Sequence, residues 1–261
     1  MSEKTFLTVR ELSERLDAIW PPSLSAPWDN DGLMCAPDPD APVRRAVVSL
    51  DATLPAIRYA AESGSVLVTH HPMIFRGLSS VVSGDFLSDR VIFALRNGVA
   101  VISAHTRLDA AKGGVNDALC AAVGIVPDRD FGDDESPTLG RVGTLSGGPL
   151  DACEFARRVK RALGSPAVTV TGDGRISRVA VVGGSGGDFI VPALKAGADA
   201  LLTGEAGYNS AEDGAENGAI TVVEAGHYHT EAPVLPVIAE ELGKLGVEVG
   251  TVFDSYPSRV Y

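Results

Sequence analysis

The stretch RRAVVSLDATLPAIRYAAESGSVLVTHH (44–71) decides the fold. Two apolar runs of strand length, RRAVVSL (44–50) and SVLVTHH (65–71), flank a helical segment, and a third, VAVISAH (99–105), follows the helical stretch DRVIFALRNG. Runs that are apolar nearly throughout, instead of alternating, belong to strands buried on both faces. Their alternation with helices indicates βαβ units and a largely parallel sheet.

Outward from this stretch the pattern returns. After a Gly/Asp/Pro-rich passage (128–143), RVAVVGGSGG (178–187), ALLTGEAG (200–207) and AITVVEAGHYHTE (219–231) form a second series. Residues 140–175 read as a strand–helix–strand piece that opens it. An offset of 134 lays Val48 on Val182 and Thr69 on Thr203, and an offset of 122 lays His105-x-x-x-Asp109 on His227-x-x-x-Glu231. The expectation is a diverged duplication, with chance similarity of two common βαβ units as the alternative. The predicted fold class is therefore α/β, with two related lobes, 1–127 and 140–261, and largely parallel sheets.

Composition narrows the function. The chain has 261 residues, 45% of them hydrophobic, enough for a substantial core, and a formal net charge of −12, which disfavours nucleic acid as a partner. Cys35, Cys120 and Cys153 are scattered, with no C-x-x-C spacing, and read as reduced core thiols of a cytoplasmic protein. The opening segment reads as an amphipathic helix capped by Thr8 and Glu11, without the apolar run of a signal peptide or membrane span.

All five histidines fall in three motifs that close strands: VTHHP, SAHTRLD and AGHYHTE. Open α/β sheets place ligands at the C-terminal ends of their strands. His70, His71, Asp109, His227 and Glu231 are the candidate metal ligands there. Imidazole and carboxylate donors without thiolate suit Zn, Fe, Mn, Co or Ni at an open site. Successive strand residues point to opposite faces, so His70 and His71 serve two neighbouring ions more easily than one, and Pro72 keeps His71 out of a helix. A carboxylate such as Glu231 is suited to bridge such a pair.

Through WDNDGLMCA (28–36), VTHHPMIF (68–75), VISAHTRLDAAKGGVND (101–117), LLTGEAG (201–207) and AGHYHTE (225–231), the chain resembles the dinuclear-metal proteins called GTP cyclohydrolase 1 type 2 homologues, the NGG1-interacting-factor-three-like family. The resemblance spans essentially the whole chain. It implies that His70 and His71 bind different ions, that Asp109 joins His71, that His227 joins His70, and that Glu231 contacts both. It also implies a toroidal homohexamer, and the short 125–175 segment predicts that no middle domain is inserted. Asp29 and Asn30 match the family's signature, with simple turn chemistry as the alternative.

The activity expected is hydrolysis of a small phosphorylated or heterocyclic metabolite by two divalent ions, with His105 or His229 as catalytic acid–base groups. A metal-binding chaperone or docking protein is the competing expectation. Nothing in the residues indicates recognition of guanine. GGSGGD (183–188) departs from G-x-G-x-x-G at Phe189 and reads as a tight turn sooner than a phosphate cradle.

Overall fold

A computed structural model describes residues 6–136 and 138–253, which form two compact units. The first runs to Leu108 and opens with α1 (Val9–Ile19). The expected capping box is present: Thr8 Oγ1 accepts from the Glu11 amide at 3.2 Å, and Glu11 Oε2 accepts from the Thr8 amide at 2.8 Å. Then come β1 (Gly32–Cys35), β2 (Arg45–Ser49), α2 (Leu54–Glu62), β3 (Val66–Thr69), α3 (Phe86–Arg96) and β4 (Val101–Ser103). The β3 and β4 residues are all buried, as the uninterrupted apolar runs require. The short helix α4 (Thr106–Ala110) carries the chain across the unit boundary.

The second unit contains α5 (Val115–Val123), β5 (Ile125–Phe131), β6 (Gly140–Leu145), β7 (Leu150–Asp151), α6 (Ala152–Leu163), β8 (Thr169–Thr171), β9 (Arg175–Ile176), β10 (Arg178–Ser185), α7 (Ile190–Lys195), β11 (Ala200–Glu205), α8 (Tyr208–Ala215), β12 (Thr221–Glu224) and α9 (His227–Glu231). The Gly/Asp/Pro-rich passage supplies much of two paired strands, β5 and β6. After α9 the chain returns to the first unit through α10 (Leu235–Lys244) and β13 (Glu248–Phe253).

The first sheet has the order β1-β4-β3-β2-β13, parallel except for the β1–β4 pairing. The second has the order β5-β6-β10-β11-β12-β8, with parallel pairing confined to β10–β11 and β11–β12. The shared unit is three parallel strands, β2-β3-β4 or β10-β11-β12, whose last strand borders an antiparallel one. That shared pattern supports the duplication, although Ser49 pairs Thr69 while Val182 pairs Thr203, one residue off the 134 offset.

The lobe limits of 127 and 140 need correcting. Leu119, Cys120, Val123 and Ile125 pack into the second unit's core with Phe155, Val181 and Leu202, so 109–127 belongs there. At the other end β13 pairs parallel with β2, from Glu248 opposite Arg45 to Phe253 opposite Ser49. Hydrophobic runs identify both segments as structured but say nothing about which sheet edge they join. Of the thiols, Cys35 and Cys120 are buried as expected and Cys153 is exposed.

Candidate metal centre

In the first unit His70 and His71 follow β3, and His105 follows β4, so adjacent parallel strands deliver the three rings together. Ring centroids lie 4.9 Å apart for His70–His71, 5.3 Å for His70–His105 and 5.6 Å for His71–His105. One nitrogen from each lies within 4.8 Å of the others, and the set is able to hold a metal ion.

Each ring is anchored through Nδ1. His70 Nδ1 meets the Ala104 carbonyl at 2.9 Å, His71 Nδ1 meets Asp51 Oδ1 at 2.8 Å, and His105 Nδ1 meets Asp29 Oδ1 at 2.8 Å. An oxygen that can only accept requires the hydrogen on Nδ1, which leaves the lone pair of a neutral ring on Nε2. This is the tautomer in which metal-ligating histidines are normally held by their outer partners.

Asp29 is the most elaborated of these partners. Its Oδ2 accepts from the Thr106 amide at 3.0 Å and the Thr106 hydroxyl at 2.5 Å, and its side chain is fully buried. Burial by itself raises a carboxyl's pKa, but the bonds and charge of His105 and the Thr106 donors hold this one down at about 2. Asp31 alongside accepts the His105 amide at 3.0 Å and takes a two-pronged bond from Arg107, at 2.8 and 2.6 Å. The Trp-Asp-Asn-Asp segment is therefore a bracket for the 105–107 backbone, which settles Asp29 as more than a turn former.

In the second unit His227 and Glu231 occupy positions i and i+4 of α9, on one face, with Nε2 and Oε1 3.2 Å apart. Two donors sharing one tetrahedral ion with bonds of about 2.1 Å stand roughly 3.4 Å apart, close to this spacing. His227 Nδ1 is held by Glu205 Oε1 at 2.7 Å, which repeats the first unit's anchoring.

The GGSGG turn forms the floor of this pair. The Gly183 amide donates to Asn116 Oδ1 at 2.8 Å, and the Gly184 amide to Thr230 Oγ1 at 3.1 Å. A Cβ on Gly184, whose φ is +67°, would stand 2.2 Å from Glu231 Oε1 and 3.0 Å from His227 Nε2. The glycines admit the donors. Asn116 Nδ2 also donates to the carbonyl of the buried Asp109 at 3.2 Å, so one amide side chain ties the Asp109 backbone to the glycine turn.

His229 is two residues beyond His227 on α9, roughly 200° around the helix, so it faces away from the His227/Glu231 side. Its ring stands edge-on to Tyr228 at 5.5 Å. Sequence reasoning missed Asp51 and Glu205 as histidine anchors, although both stand immediately at or after a strand end, where an acidic residue beside buried apolar runs is itself a signal.

Fold and site together define an α/β protein of two units, each with three adjacent parallel strands, whose strand ends carry histidine and carboxylate groups that could hold a metal. The sequence model of one family, Duf34/NIF3 (NGG1p interacting factor 3), matches residues 7–256. A "GTP cyclohydrolase 1 type 2 homolog" of Clostridium perfringens is 32% identical over 243 residues, 90% of this chain and 91% of that protein. The "Protein NIF3 homolog" of Schizosaccharomyces pombe is 30% identical, covering 94% of each. In fold the chain is similar to Staphylococcus aureus hypothetical protein SA1388, with a TM-score of 0.86, 23% identity, and coverage of 98% of this chain and 100% of that one. The chain belongs to the Duf34/NIF3 family.

Proposed function

We propose that this chain is a hydrolase dependent on two divalent ions and acting on a small phosphorylated or heterocyclic metabolite. His70, His71, Asp109, His227 and Glu231 are the ligands in this reading, and the ions are Zn, Fe, Mn, Co or Ni. The observation that carries it is the repeated anchoring: four histidines, in both units, have Nδ1 fixed on an oxygen, so that Nε2 is the donor nitrogen of each neutral ring. The donor set fits such ions, since it combines imidazole with the carboxylates of Asp109 and Glu231 and no thiolate. When bound, a metal pair supplies polarisation of the substrate and acidified water. His105 holds and moves a proton at Nε2, with Asp29 stabilising the ring when it is charged.

The relatives' name, GTP cyclohydrolase 1 type 2 homolog, supports a nucleotide-like substrate class. A homohexameric, cytoplasmic protein with no nucleic-acid partner belongs to the same reading, and among the described residues no helix is long and apolar enough to cross a membrane. The exposed His227–Glu205 pair favours a second reading, a metal carrier or docking protein, because ligands open to water exchange readily.

Metal analysis of untagged protein is expected to give about two equivalents per chain. Glu231→Gln is expected to weaken both ions together, and His70→Ala to remove chiefly one. One equivalent, or a Glu231→Gln protein that keeps both, defeats the bridged pair. A metabolite screen with the metal restored separates hydrolase from carrier, since only the hydrolase turns over.

A further inference from the structure

The Asp29 bracket holds one large aromatic side chain that the fold leaves more than half exposed. Trp28 lies between Ala26, whose amide donates to Thr106 Oγ1 at 2.9 Å, and Asp29, with its buried bonds to His105 and Thr106. The backbone on both sides is fixed, yet Trp28 is 54% exposed. Asn30 Nδ2 donates to the Ile74 carbonyl at 2.5 Å and clasps this segment to the loop after the histidine pair. That clasp sets Phe75, itself 41% exposed, at 6.1 Å and 70° from Trp28. Both rings stand edge-on to His105, at 6.3 and 6.0 Å.

Ordering a backbone with buried hydrogen bonds while leaving its largest apolar side chain in water is unfavourable for the fold alone. It is the arrangement of an aromatic surface prepared for a ligand, positioned from rigid neighbours beside the chemistry. Leu78, Val81, Val82 and Phe86 are also exposed but do not share these ring contacts. The difference separates a prepared platform from ordinary surface hydrophobics.

We propose that Trp28 and Phe75 form a stacking platform for a planar nitrogen heterocycle, presenting it beside His105, and that they are positioning residues which set substrate class. The proposal rests on the hydrolase reading and narrows its substrate to compounds with such a ring. A flat π-face stacks on an exposed aromatic with little regard to ring substituents. The platform therefore selects rings from ring-free phosphates more strongly than one ring from another.

The test uses the full chain, metal-loaded and metal-stripped, with AMP, GMP and ribose 5-phosphate as probes. Tryptophan fluorescence and calorimetry are both read. Trp20 is buried, so quenching by a stacked ring reports on Trp28. The expected result is that AMP or GMP quenches and binds at least about tenfold tighter than ribose 5-phosphate. Trp28→Ala and Phe75→Ala are expected to lose roughly tenfold to a hundredfold in that affinity with metal content unchanged, and Trp28→Phe to restore most of it. Equal binding of ring and ring-free probes, no purine binding up to millimolar concentration, or unchanged affinity in Trp28→Ala overturns the platform. So does dissociation of an oligomer by Trp28→Ala, which makes the surface a subunit interface. Purine binding by a chain that takes up no metal leaves the platform standing and removes the hydrolase. Two bound metals without purine binding does the reverse.

Discussion

The two strand–helix repeats carry the same short motif in different settings. His105-x-x-x-Asp109 and His227-x-x-x-Glu231 each follow the third parallel strand of their repeat and accompany a five-residue helix, and each histidine is held at Nδ1 by a carboxylate. Asp29, which holds His105, is fully buried and has three further bonds within its own unit, counting that from the Asn30 amide. Glu205, which holds His227, is 61% exposed. A buried, multiply bonded carboxylate fixes its ring far more tightly than an exposed one whose interaction competes with water. The two settings thus give one imidazole held by a buried carboxylate and one held by an exposed carboxylate. Rigidity suits proton transfer, and adjustability suits a ligand that must accommodate an incoming ion.

The largest expected effect separates these roles. In the family pattern that the chain resembles, His105 is outside the ligand set, yet its ring lies within the His70/His71 group. His105→Ala is expected to keep both metals and to lower turnover by roughly 10²–10⁴. Parallel loss of metal and activity makes His105 a ligand and abolishes the contrast with His227.

The anchors come next. Asp29→Asn is expected to lower turnover by roughly 10–100-fold, the usual cost of losing a group that orients a site histidine. Glu205→Gln should cost less than about tenfold, because water already competes for that position. Equal effects from the two substitutions, measured with metal content held constant, erase the difference between buried and exposed anchors.

Much of this was legible in the residues. Nearly continuous apolar runs gave the strands, the Thr8/Glu11 spacing gave the first cap, and the clustering of histidines at strand ends pointed to groups that could hold a metal. What escaped were relations over long separations. The pairing of β13 with β2 spans about two hundred positions, and nothing in EVGTVF (248–253) marks which edge it will join. The use of GGSGG as a floor for α9 was equally hidden, since a glycine placed for close approach looks the same in sequence as one placed for a turn. Asp29 was visible as a motif residue, but its partners His105 and Thr106 lie more than seventy residues away.

The smallest expected effect concerns acid stability and tests the buried anchor without reference to activity. Asp29 is held at about 2, below the ordinary 3.8 of an aspartate, because the His105 and Thr106 interactions outweigh its burial. A carboxylate whose pKa is lower folded than unfolded binds fewer protons in the folded state, so stability rises with pH between the two values. Its contribution, about 2 kcal/mol, is complete above the unfolded value near 4 and disappears as pH falls through about 2. Denaturant midpoints of wild type and Asp29→Asn, both metal-stripped, should therefore differ by a constant amount from pH 7 down to about 5. The gap should narrow between about pH 4 and 2, where protonation removes from the wild type the charge that the substitution has already removed. A gap that stays constant down to pH 2 shows that the substitution acts through packing, and Asp29 is then not the charged anchor that distinguishes His105 from His227.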